Sequence, residues 1–391
     1  MTKVVHKRLG DLLNLKRGYD LPESQRRPGP YPVISSAGIT GYHDEYMVEG
    51  QGVVTGRYGT LGEMYYVDGK YWPHNTALYV TTFKGNDPKY IYYLLTCLGR
   101  IRTSDKSAVP GVNRNELHEM EIPAISDTKQ QKKVAAILSA LDAKIDCNNR
   151  INAELEAMAK TLYDYWFVQF DFPDASGKPY KSSGGKMVYN ATLKREIPSG
   201  WHDSNVLAVA DLLGGGTPTK KKPEYWSGNI PFFTPTDADG SIFKFSTTDY
   251  ITSEGLKGSS TKLFSKHTVF ITARGSVGRL VLAGVDMAMN QSCYALRAKT
   301  GTSHVFLFFL AKELIHHLHV KSSGSVFDSI VSNDIELTKL AIPKGEVIEM
   351  FAAVVEPAFE KIANNTKENQ QLAQLRDWLL PLLMNGQVTV A

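Results

Sequence analysis

Apolar residues recur at every seventh position in two long stretches of the chain. In the first stretch, two interleaved series follow this spacing, the first being Val134, Leu141, Asn148, Leu155 and Leu162 and the second being Leu138, Ile145, Asn152, Ala159 and Trp166. The same two series return 217 residues later as Phe351, Ala358, Asn365, Leu372 and Leu379 and as Val355, Ile362, Asn369, Arg376 and Leu383. Sustained heptad spacing predicts two long α-helices, each with a seam that packs on a partner helix. Pro357 is expected to kink the second helix or to delay its start.

Asparagines interrupt both predicted seams. Asn148 and Asn152 lie near the middle of the first seam, and Asn365 and Asn369 lie near the middle of the second. An antiparallel pair of helices would join these polar positions and place one globular part at each end. A buried Asn pair would lower stability relative to Ile or Leu but would fix the register of the helices. The alternative is that these asparagines face solvent or a third partner.

The segments before the two helices also repeat. Residues of the first half return in the same order in the second half, at 10–13 and 210–213, at 31–35 and 230–234, at 53–62 and 269–278, and at 112–123 and 332–343. Collinear matches of this kind indicate two copies of one structural unit. Short β-branched runs bounded by Gly, at 52–55 and 268–271, predict strands. Helical spacing of apolar residues at 90–98 and 304–319 predicts a helix in each copy.

These patterns predict an α+β fold built as an internal repeat. Two mixed α/β domains would be separated by two long antiparallel α-helices, which form a coiled-coil-like spacer with a pseudo-twofold axis. The predicted boundaries are a first globular domain at 1–124, a central helical region at 125–168, a linker at 169–200, a second globular domain at 201–343 and a distal helical region at 344–391.

Composition narrows the class of protein further. The chain has 391 residues, 42% of them hydrophobic and 21% charged, which excludes a disordered or collagen-like protein. The longest apolar run, at 305–311, is far too short to cross a membrane, and no signal peptide is recognised, so a cytoplasmic location is expected. The three isolated cysteines exclude a disulfide framework. A net charge of +4 neither indicates nor excludes binding to nucleic acid.

No catalytic or metal-binding motif stands out. The phosphate-loop pattern G-x-x-x-x-G-K-[ST] is absent from the sequence. His316, His317 and His319 lack the H-E-x-x-H order, so they predict an exposed helix surface and no metal site. The Arg-Gly-Ser-Val-Gly run at 274–278 resembles a phosphate-binding turn only faintly, and a hairpin turn is the preferred interpretation.

Several longer motifs point to a known family. They are Gly-Gly-Gly-Thr-Pro at 214–218, Pro-Glu-Tyr-Trp at 223–226, Ile-Pro-Phe-Phe-Thr-Pro at 230–235, Trp-Phe-Val-Gln-Phe-Asp-Phe-Pro at 166–173, the Gly-Lys-Pro-Tyr-Lys-Ser-Ser-Gly-Gly run at 177–185 and Ile-Pro-Ser-Gly-Trp at 197–201. In this order they resemble the specificity (S) subunits of type I restriction-modification systems across essentially the whole chain. The first domain departs from the pattern, with Arg-Gly-Tyr at 17–19 and a basic, proline-rich stretch at 26–30.

The resemblance implies a function and a set of partners. The globular domains would be target recognition domains, each binding one half of an asymmetric bipartite sequence in double-stranded DNA, and the helices would set the gap. The helices would also dock two methyltransferase subunits, which recruit two restriction/translocase subunits; no membrane is involved. This chain would be non-catalytic and without a cofactor, while its partners use S-adenosylmethionine, ATP and magnesium. The alternative is a tandem scaffold that recruits proteins through its helices and binds no DNA.

Candidate DNA contacts are loop residues at matched positions of the repeat whose side chains suit bases or phosphates. Arg, Asn and Gln read base edges, whereas Lys, Arg and Ser bind phosphates. The candidates are Arg57, Tyr58, Asn75, Lys106 and Ser107 in the first copy and Lys220, Lys221, Lys222, Thr236, Arg274, Ser276, Asn290, Gln291, Lys321 and Ser322 in the second. For each, the alternative is a solvated residue or a turn-former. Asn75 and Asn290 could equally be caps or core hydrogen-bonders.

Overall fold

The computed structural model describes residues 4–56, 63–102, 114–321 and 329–390. The chain forms two compact units. Unit 1 comprises Met1–Asp146 and Asn369–Ala391, and unit 2 comprises Cys147–Glu368. Each unit therefore contains one globular part and a length of both long helices.

Unit 1 is built on a six-stranded sheet with the strand order β2-β7-β5-β6-β3-β4. Its elements are β1 (Val4–Arg8), α1 (Leu9–Leu12), β2 (Asn14–Arg17), β3 (Tyr31–Ser35), β4 (Gly38–His43), β5 (Val48–Gly56), β6 (Met64–Pro73), β7 (Ala77–Thr82), α2 (Pro88–Arg102), α3 (Arg114–Glu119) and β8 (Glu121–Ile125). β5 pairs antiparallel with β6 and β7, whereas β3 runs parallel to the end of β6. Residues of α2, including Tyr90, Ile91 and Leu94, cover one face of the sheet and form the core.

Unit 2 contains a five-stranded sheet, β12-β19-β16-β17-β14, and a three-stranded sheet, β15-β13-β18. From the first long helix onward the elements are α4 (Thr128–Tyr163), β9 (Met187–Asn190), β10 (Arg195–Pro198), β11 (His202–Ser204), β12 (Ala210–Gly214), β13 (Trp226–Phe233), β14 (Phe243–Lys244), β15 (Asp249–Ile251), α5 (Ser253–Lys257), β16 (Val269–Thr272), β17 (Leu280–Ala283), β18 (Ala288–Met289), β19 (Cys293–Ala298), α6 (His304–Lys321), α7 (Ser332–Leu337), β20 (Leu340–Ile342) and α8 (Gly345–Met384). α6 supplies more buried residues to this unit's core than any other element. The hairpin predicted around 274–278 is present between β16 and β17.

The strand order confirms the internal repeat. The neighbours β2, β7 and β5 of unit 1 return as β12, β19 and β16 of unit 2. The long strand β6 returns in two pieces, with β17 beside β16 and β18 parallel to β13, as β6 is parallel to β3. In both units the strand before the long helix pairs with the first strand, β8 with β1 and β20 with β11.

The core helices of the two units begin in the same way. The Asp87 carboxylate accepts the Tyr90 N–H at 2.9 Å, and Pro88 occupies the first position of α2. The Ser303 hydroxyl accepts the Val305 N–H at 3.2 Å at the start of α6. A short polar side chain before the first turn satisfies N–H groups that have no partner inside the helix.

The two long helices pair along the predicted seams in antiparallel fashion. Every residue of the two series is buried or half-buried in both helices. In unit 2, the Asn365 Nδ2 donates to the Asn152 Oδ1 at 2.9 Å, and the Asn148 Nδ2 donates to Glu368 at 2.8 Å. Higher residue numbers on α4 therefore pair with lower residue numbers on α8, which confirms the antiparallel arrangement.

The asparagines of the seam are not solvated surface residues. Asn148 and Asn365 are 0% and 1% exposed, and Asn152 and Asn369 are half-buried. The Asn152 Nδ2 lies 3.5 Å from the Thr366 hydroxyl, which extends the polar layer. Their role in fixing register stays a prediction.

The expected effect of Pro357 on the start of α8 is wrong. The helix begins at Gly345 and continues through Pro357 to Met384. Proline lacks the N–H that would bind the carbonyl of Ala353. Both residues are exposed, so water can donate a hydrogen bond to the Ala353 carbonyl and the helix continues.

The Asn152–Asn365 pair gives a stability prediction. Asn365→Leu alone should lower the free energy of unfolding by about 1–3 kcal/mol, because the half-buried Asn152 Oδ1 loses the N–H group that donates to it. The double substitution Asn152→Leu with Asn365→Leu should recover this loss or exceed it. Amide hydrogen exchange of α8 in the full chain measures both. Losses that simply add in the double variant would contradict the pairing.

Candidate nucleic-acid interface

The turn after β16 and the turn before β19 lie side by side at one edge of unit 2. β16 and β19 are antiparallel, with Thr272 opposite Cys293. The N–H groups of Ala273 and Arg274 both donate to the Ser292 carbonyl, at 2.8 and 3.1 Å. The turn after β16 therefore lies directly against the turn before β19.

Two further segments reach the same edge. β13 and β18 are parallel, with Phe233 opposite Met289, and the Asn290 N–H donates to the Phe233 carbonyl at 3.0 Å. Gly214, the last residue of β12, lies opposite Tyr294 at the start of β19. The segments after β12, β13, β16 and β18 are thus neighbours, and we call this side of unit 2 the loop edge.

The structure brings most second-copy candidates together on the loop edge. All but one of those described there are exposed: Lys220, Lys221, Lys222, Thr236, Arg274, Ser276 and Gln291. Asn290 is half-buried, and its side-chain carbonyl accepts the Ser292 N–H at 3.0 Å, as expected of a turn-former. Lys321 is the last residue of α6. Arg57, Tyr58, Lys106, Ser107 and Ser322 lie outside the described residues.

The three lysines project from a loop that is fastened at both ends. A Cβ on Gly215 would lie 2.1 Å from the Asn290 carbonyl oxygen, so only glycine allows this close approach. The Thr217 hydroxyl hydrogen-bonds the side-chain carbonyl of Gln291. At the other end, the Trp226 indole donates to the Thr219 carbonyl at 3.2 Å. The Gly-Gly-Thr-Pro and Tyr-Trp motifs therefore hold this loop, residues 215–222, against the sheet.

The loop edge of unit 2 presents positive charge. The Lys222 ammonium donates to the Tyr225 hydroxyl at 3.1 Å, and this hydrogen bond raises the pKa of Lys222. The Lys220 ammonium lies 6.0 Å from the centre of the Trp226 ring. Among the residues that the structure describes, neither Lys220, Lys221 nor Arg274 forms an ion pair with a carboxylate. Such cations are suited to phosphates.

A buried carboxylate orders the loop that carries Thr236, and sequence reasoning missed it. Asp237 is 5% exposed and accepts hydrogen bonds from the N–H and hydroxyl of Thr234, both at 2.8 Å. It also accepts from the N–H and hydroxyl of Thr248, at 2.9 and 3.0 Å. The spacing of Thr234 and Asp237 is that of a capping box, which was the available signal.

Unit 1 repeats the backbone of the loop edge. A Cβ on Gly18 would lie 2.2 Å from the His74 carbonyl oxygen, as Gly215 approaches the turn after β18. The Tyr19 N–H donates to the Pro73 carbonyl at 2.8 Å. Asn75 follows in this turn and donates to the Asp20 carboxylate, so it ties the chain to itself. This geometry agrees with the alternative of a structural role.

The side chains of unit 1 differ at this edge. Arg27 pairs with Asp44 at 2.7 Å and with Glu45 at 2.8 Å. Arg26 donates to the Thr40 carbonyl at 2.8 Å. The basic stretch at 26–30 is therefore bound within its own unit, whereas the lysines of unit 2 are presented outward.

Neither a metal-binding cluster nor a membrane-spanning helix is present in the described ranges. No group of three or more His, Cys, Asp or Glu there could hold a metal ion. His316, His317 and His319 are exposed on α6, in agreement with the expected helix surface. Within the same part of the chain, no helix is long and apolar enough to cross a bilayer.

Comparison with known protein families identifies the family of this chain. The type I restriction modification DNA specificity domain matches residues 1–157 and again residues 198–374. The chain belongs to this family. The two matches, one for each copy, confirm both the resemblance and the repeat that the sequence predicts.

Relatives within the specificity family are distant in sequence. The type I restriction enzyme MjaIX specificity subunit of Methanocaldococcus jannaschii is 28% identical over 312 residues, which cover 77% of this chain and 69% of the relative. The HindI specificity subunit of Haemophilus influenzae is 24% identical over 313 residues, which cover 68% of each chain. The crystal structure of an S subunit from M. genitalium covers 98% of this chain and 96% of its own, with a TM-score of 0.62 and 16% identity. This similarity shows a shared fold.

Proposed function

We propose that this chain is the non-catalytic, DNA-reading subunit of a type I restriction-modification complex. Each unit would bind one half of an asymmetric bipartite target through its loop edge. The observation that carries the proposal is that one backbone arrangement, a glycine-fastened loop against a turn, occurs in both units with different side chains. Two unlike readers on one duplicated scaffold suit two unlike half-sites.

The loop edge of unit 2 has the side chains that DNA recognition requires. Lys220, Lys221 and Lys222 would contact phosphates, which fix position without reading sequence. Arg274 and Gln291 lie on adjacent turns and carry the planar donors that read base edges in the major groove. The fastened loop supports this assignment, because an ordered loop loses less conformational freedom on binding.

The helices support a second part of the proposal, the docking of protein partners. On one side of each seam lie residues that directly follow the first series, and those nearest the globular parts enter the units' own cores. Ala135 and Leu380 are buried in the core of unit 1, and Tyr163 and Phe359 are buried in the core of unit 2. We call this side the core flank.

The other side of each seam is largely exposed, and most of its residues are apolar. We call it the outer flank, and it consists of the residues directly before the second series. Its exposed apolar members are Ile137, Ile151, Met158, Tyr165, Val354 and Leu375. Apolar side chains aligned along a helix and left in solvent mark a surface for a protein partner.

The outer flank carries two equivalent patches, one in each unit. The offset of 217 relates Ile137 to Val354 and Met158 to Leu375. Unit 1 contains Ile137 and Leu375, and unit 2 contains Met158 and Val354. Two equivalent patches support docking of two copies of one partner, which we assign as methyltransferase subunits that in turn engage two restriction/translocase subunits. Those partners would use S-adenosylmethionine, ATP and magnesium.

Methylation mapping tests the function directly. In the host genome we expect one modified motif with two unlike halves separated by a gap of constant length, because the two loop edges differ. Deletion of this gene should remove that modification and leave other motifs unchanged. Modification of a continuous palindrome, or methylation of DNA by the purified chain alone, would contradict the proposal.

The lysines of unit 2 predict a change in salt dependence. Replacing Lys220, Lys221 and Lys222 together with Gln should make the slope of log K against log salt about 2–3 less steep, since each phosphate contact contributes about 0.9. Sequence preference should stay the same. The matched control replaces Lys178, Lys181 and Lys186, which are exposed elsewhere in unit 2, with Gln. A scaffold that binds no DNA would show little affinity at any salt concentration.

The equivalent patches predict stepwise loss of partners. Met158→Glu or Leu375→Glu alone should reduce the reconstituted complex from two methyltransferase copies to one, and the double variant should retain none. Both residues are exposed, so stability should change by less than about 0.5 kcal/mol. Light scattering after size-exclusion chromatography measures the stoichiometry. Ala153→Glu, exposed on α4 but outside the outer flank, is the control and should keep two copies.

A further inference from the structure

Unit 1 contains a cavity at a place where it differs from unit 2. It has a volume of about 580 Å³ and lies between the first half of β6 and the helices α2 and α4. Its walls are largely aromatic and apolar, formed by Met64, Tyr65, Tyr66, Tyr92 and Tyr93. Its volume is in the range of sites that bind small molecules or large side chains.

A fixed polar group stands at one side of this cavity. The Asp142 carboxylate accepts the Tyr93 hydroxyl at 2.5 Å and an Arg376 N–H at 2.7 Å. Both partners are within unit 1. Charge-assisted hydrogen bonds therefore hold Tyr93 and Arg376 in place at the cavity wall.

Unit 2 fills the equivalent place with phenylalanine. Tyr92 and Tyr93 of α2 correspond to Phe308 and Phe309 of α6, and Asp142 corresponds to Phe359. The Phe359 ring lies 5.9 Å from Phe308 and 5.7 Å from Phe309, measured between ring centres. The repeat thus serves as an internal comparison, with a packed core in one copy and a cavity in the other.

The remaining member of the packed cluster comes from a short strand. Phe243 of β14 lies 6.2 Å from Phe359. β14 runs parallel to β17, with Phe243 opposite Leu282. The N–H groups of Leu282 and Gly284 donate to carbonyls of Ile242 and Lys244, both at 2.7 Å.

Unit 1 has no counterpart of β14 in the part of the chain that the structure describes. The residues of β6 that correspond to β17 pair with β5 on one side. On the other side, β3 pairs with β6 only at Trp72 and Pro73. By equivalence with Leu282 and Gly284, the N–H groups of Tyr66 and Asp68 face the edge where β14 would lie. An unpaired strand edge is a template for another strand.

We propose that this edge of unit 1 binds an extended segment of a partner protein. The segment would add a strand parallel to β6 at Tyr66–Asp68 and insert one aromatic side chain into the tyrosine-lined cavity, as β14 and Phe243 do within unit 2. Main-chain hydrogen bonds supply affinity in this mode of recognition, and a pocket for one side chain supplies specificity. The proposal is independent of DNA binding.

The charges around the site favour a basic peptide over nucleic acid. Asp68 lies on β6 opposite Gln51, and Asp146 lines the cavity; both are exposed. Of the two cations in the cavity lining, Arg376 is paired with Asp142, so Lys89 alone stands against Asp68 and Asp146. Carboxylates repel phosphates and attract a Lys or Arg next to the aromatic anchor. β14 has this arrangement itself, because Lys244 follows Phe243.

The segment 240–246 of this chain, Gly-Ser-Ile-Phe-Lys-Phe-Ser, is the probe, added as a separate fluorescent peptide to the full chain. We expect saturable binding with a dissociation constant on the order of 10–100 µM, typical of a short peptide that must order on binding. The peptide with Phe243→Ala should bind at least about tenfold more weakly, because the anchor is lost. Hydrogen exchange at the N–H groups of Tyr66 and Asp68 should slow when the peptide binds.

Two variants of the chain locate the site. Asp142→Phe introduces the side chain that packs against Phe243 in unit 2, so binding of the peptide should be retained. Ile39 is 58% exposed and lines the cavity, so Ile39→Asp should keep the fold and weaken binding at least about tenfold. Tyr189→Asp, exposed in unit 2, is the control and should leave binding unchanged.

Three results would overturn the proposal. The first is no saturable binding of the peptide to the wild-type chain. The second is binding that neither Ile39→Asp nor the Phe243→Ala peptide weakens. The third is self-association of the chain that Ile39→Asp abolishes while the peptide does not bind, which would assign the edge to a second copy.

Discussion

The antiparallel packing of the two long helices is the interaction on which the rest of the structure depends. Each globular core is completed by residues from both helices. In unit 1 these include Val134 of α4 and Leu380 of α8, and in unit 2 they include Tyr163 of α4 and Phe351 of α8. A layered core is stable only when its apolar side chains are buried, so each globular part, and with it the loop edge, depends on the helix pair to complete its core.

The duplicated scaffold separates what is fixed from what varies. The fastening of a loop to a turn through Gly18 or Gly215 is backbone chemistry, and it is the same in both units. The side chains on those loops, and the cavity beside β6, differ between the units. A fixed backbone with replaceable side chains allows one half to change its ligand while the other half and the helices stay as they are.

The sequence predicted the elements that depend on local periodicity. The heptad series, the hairpin at 274–278 and the helices α2 and α6 all follow from spacing, and burial of Asn148 and Asn365 agrees with their place in the series. The expected delay of α8 by Pro357 was wrong, because the solvent exposure that makes Pro357 tolerable is a tertiary property. The adjacency of the turns that carry Arg274 and Gln291 and the four hydrogen bonds to Asp237 depend on strand register, which spacing does not define.

The division of α8 between the units has a consequence for synthesis. Leu380, Leu383 and Met384 of α8 belong to the core of unit 1, and the last strand of that unit ends at Ile125. The ribosome makes about 5–20 residues per second, so roughly 10–50 seconds separate the two parts of this core. During that interval unit 1 has an incomplete apolar surface, while most of unit 2 has already been made. The first domain to leave the ribosome is therefore the last one to finish folding.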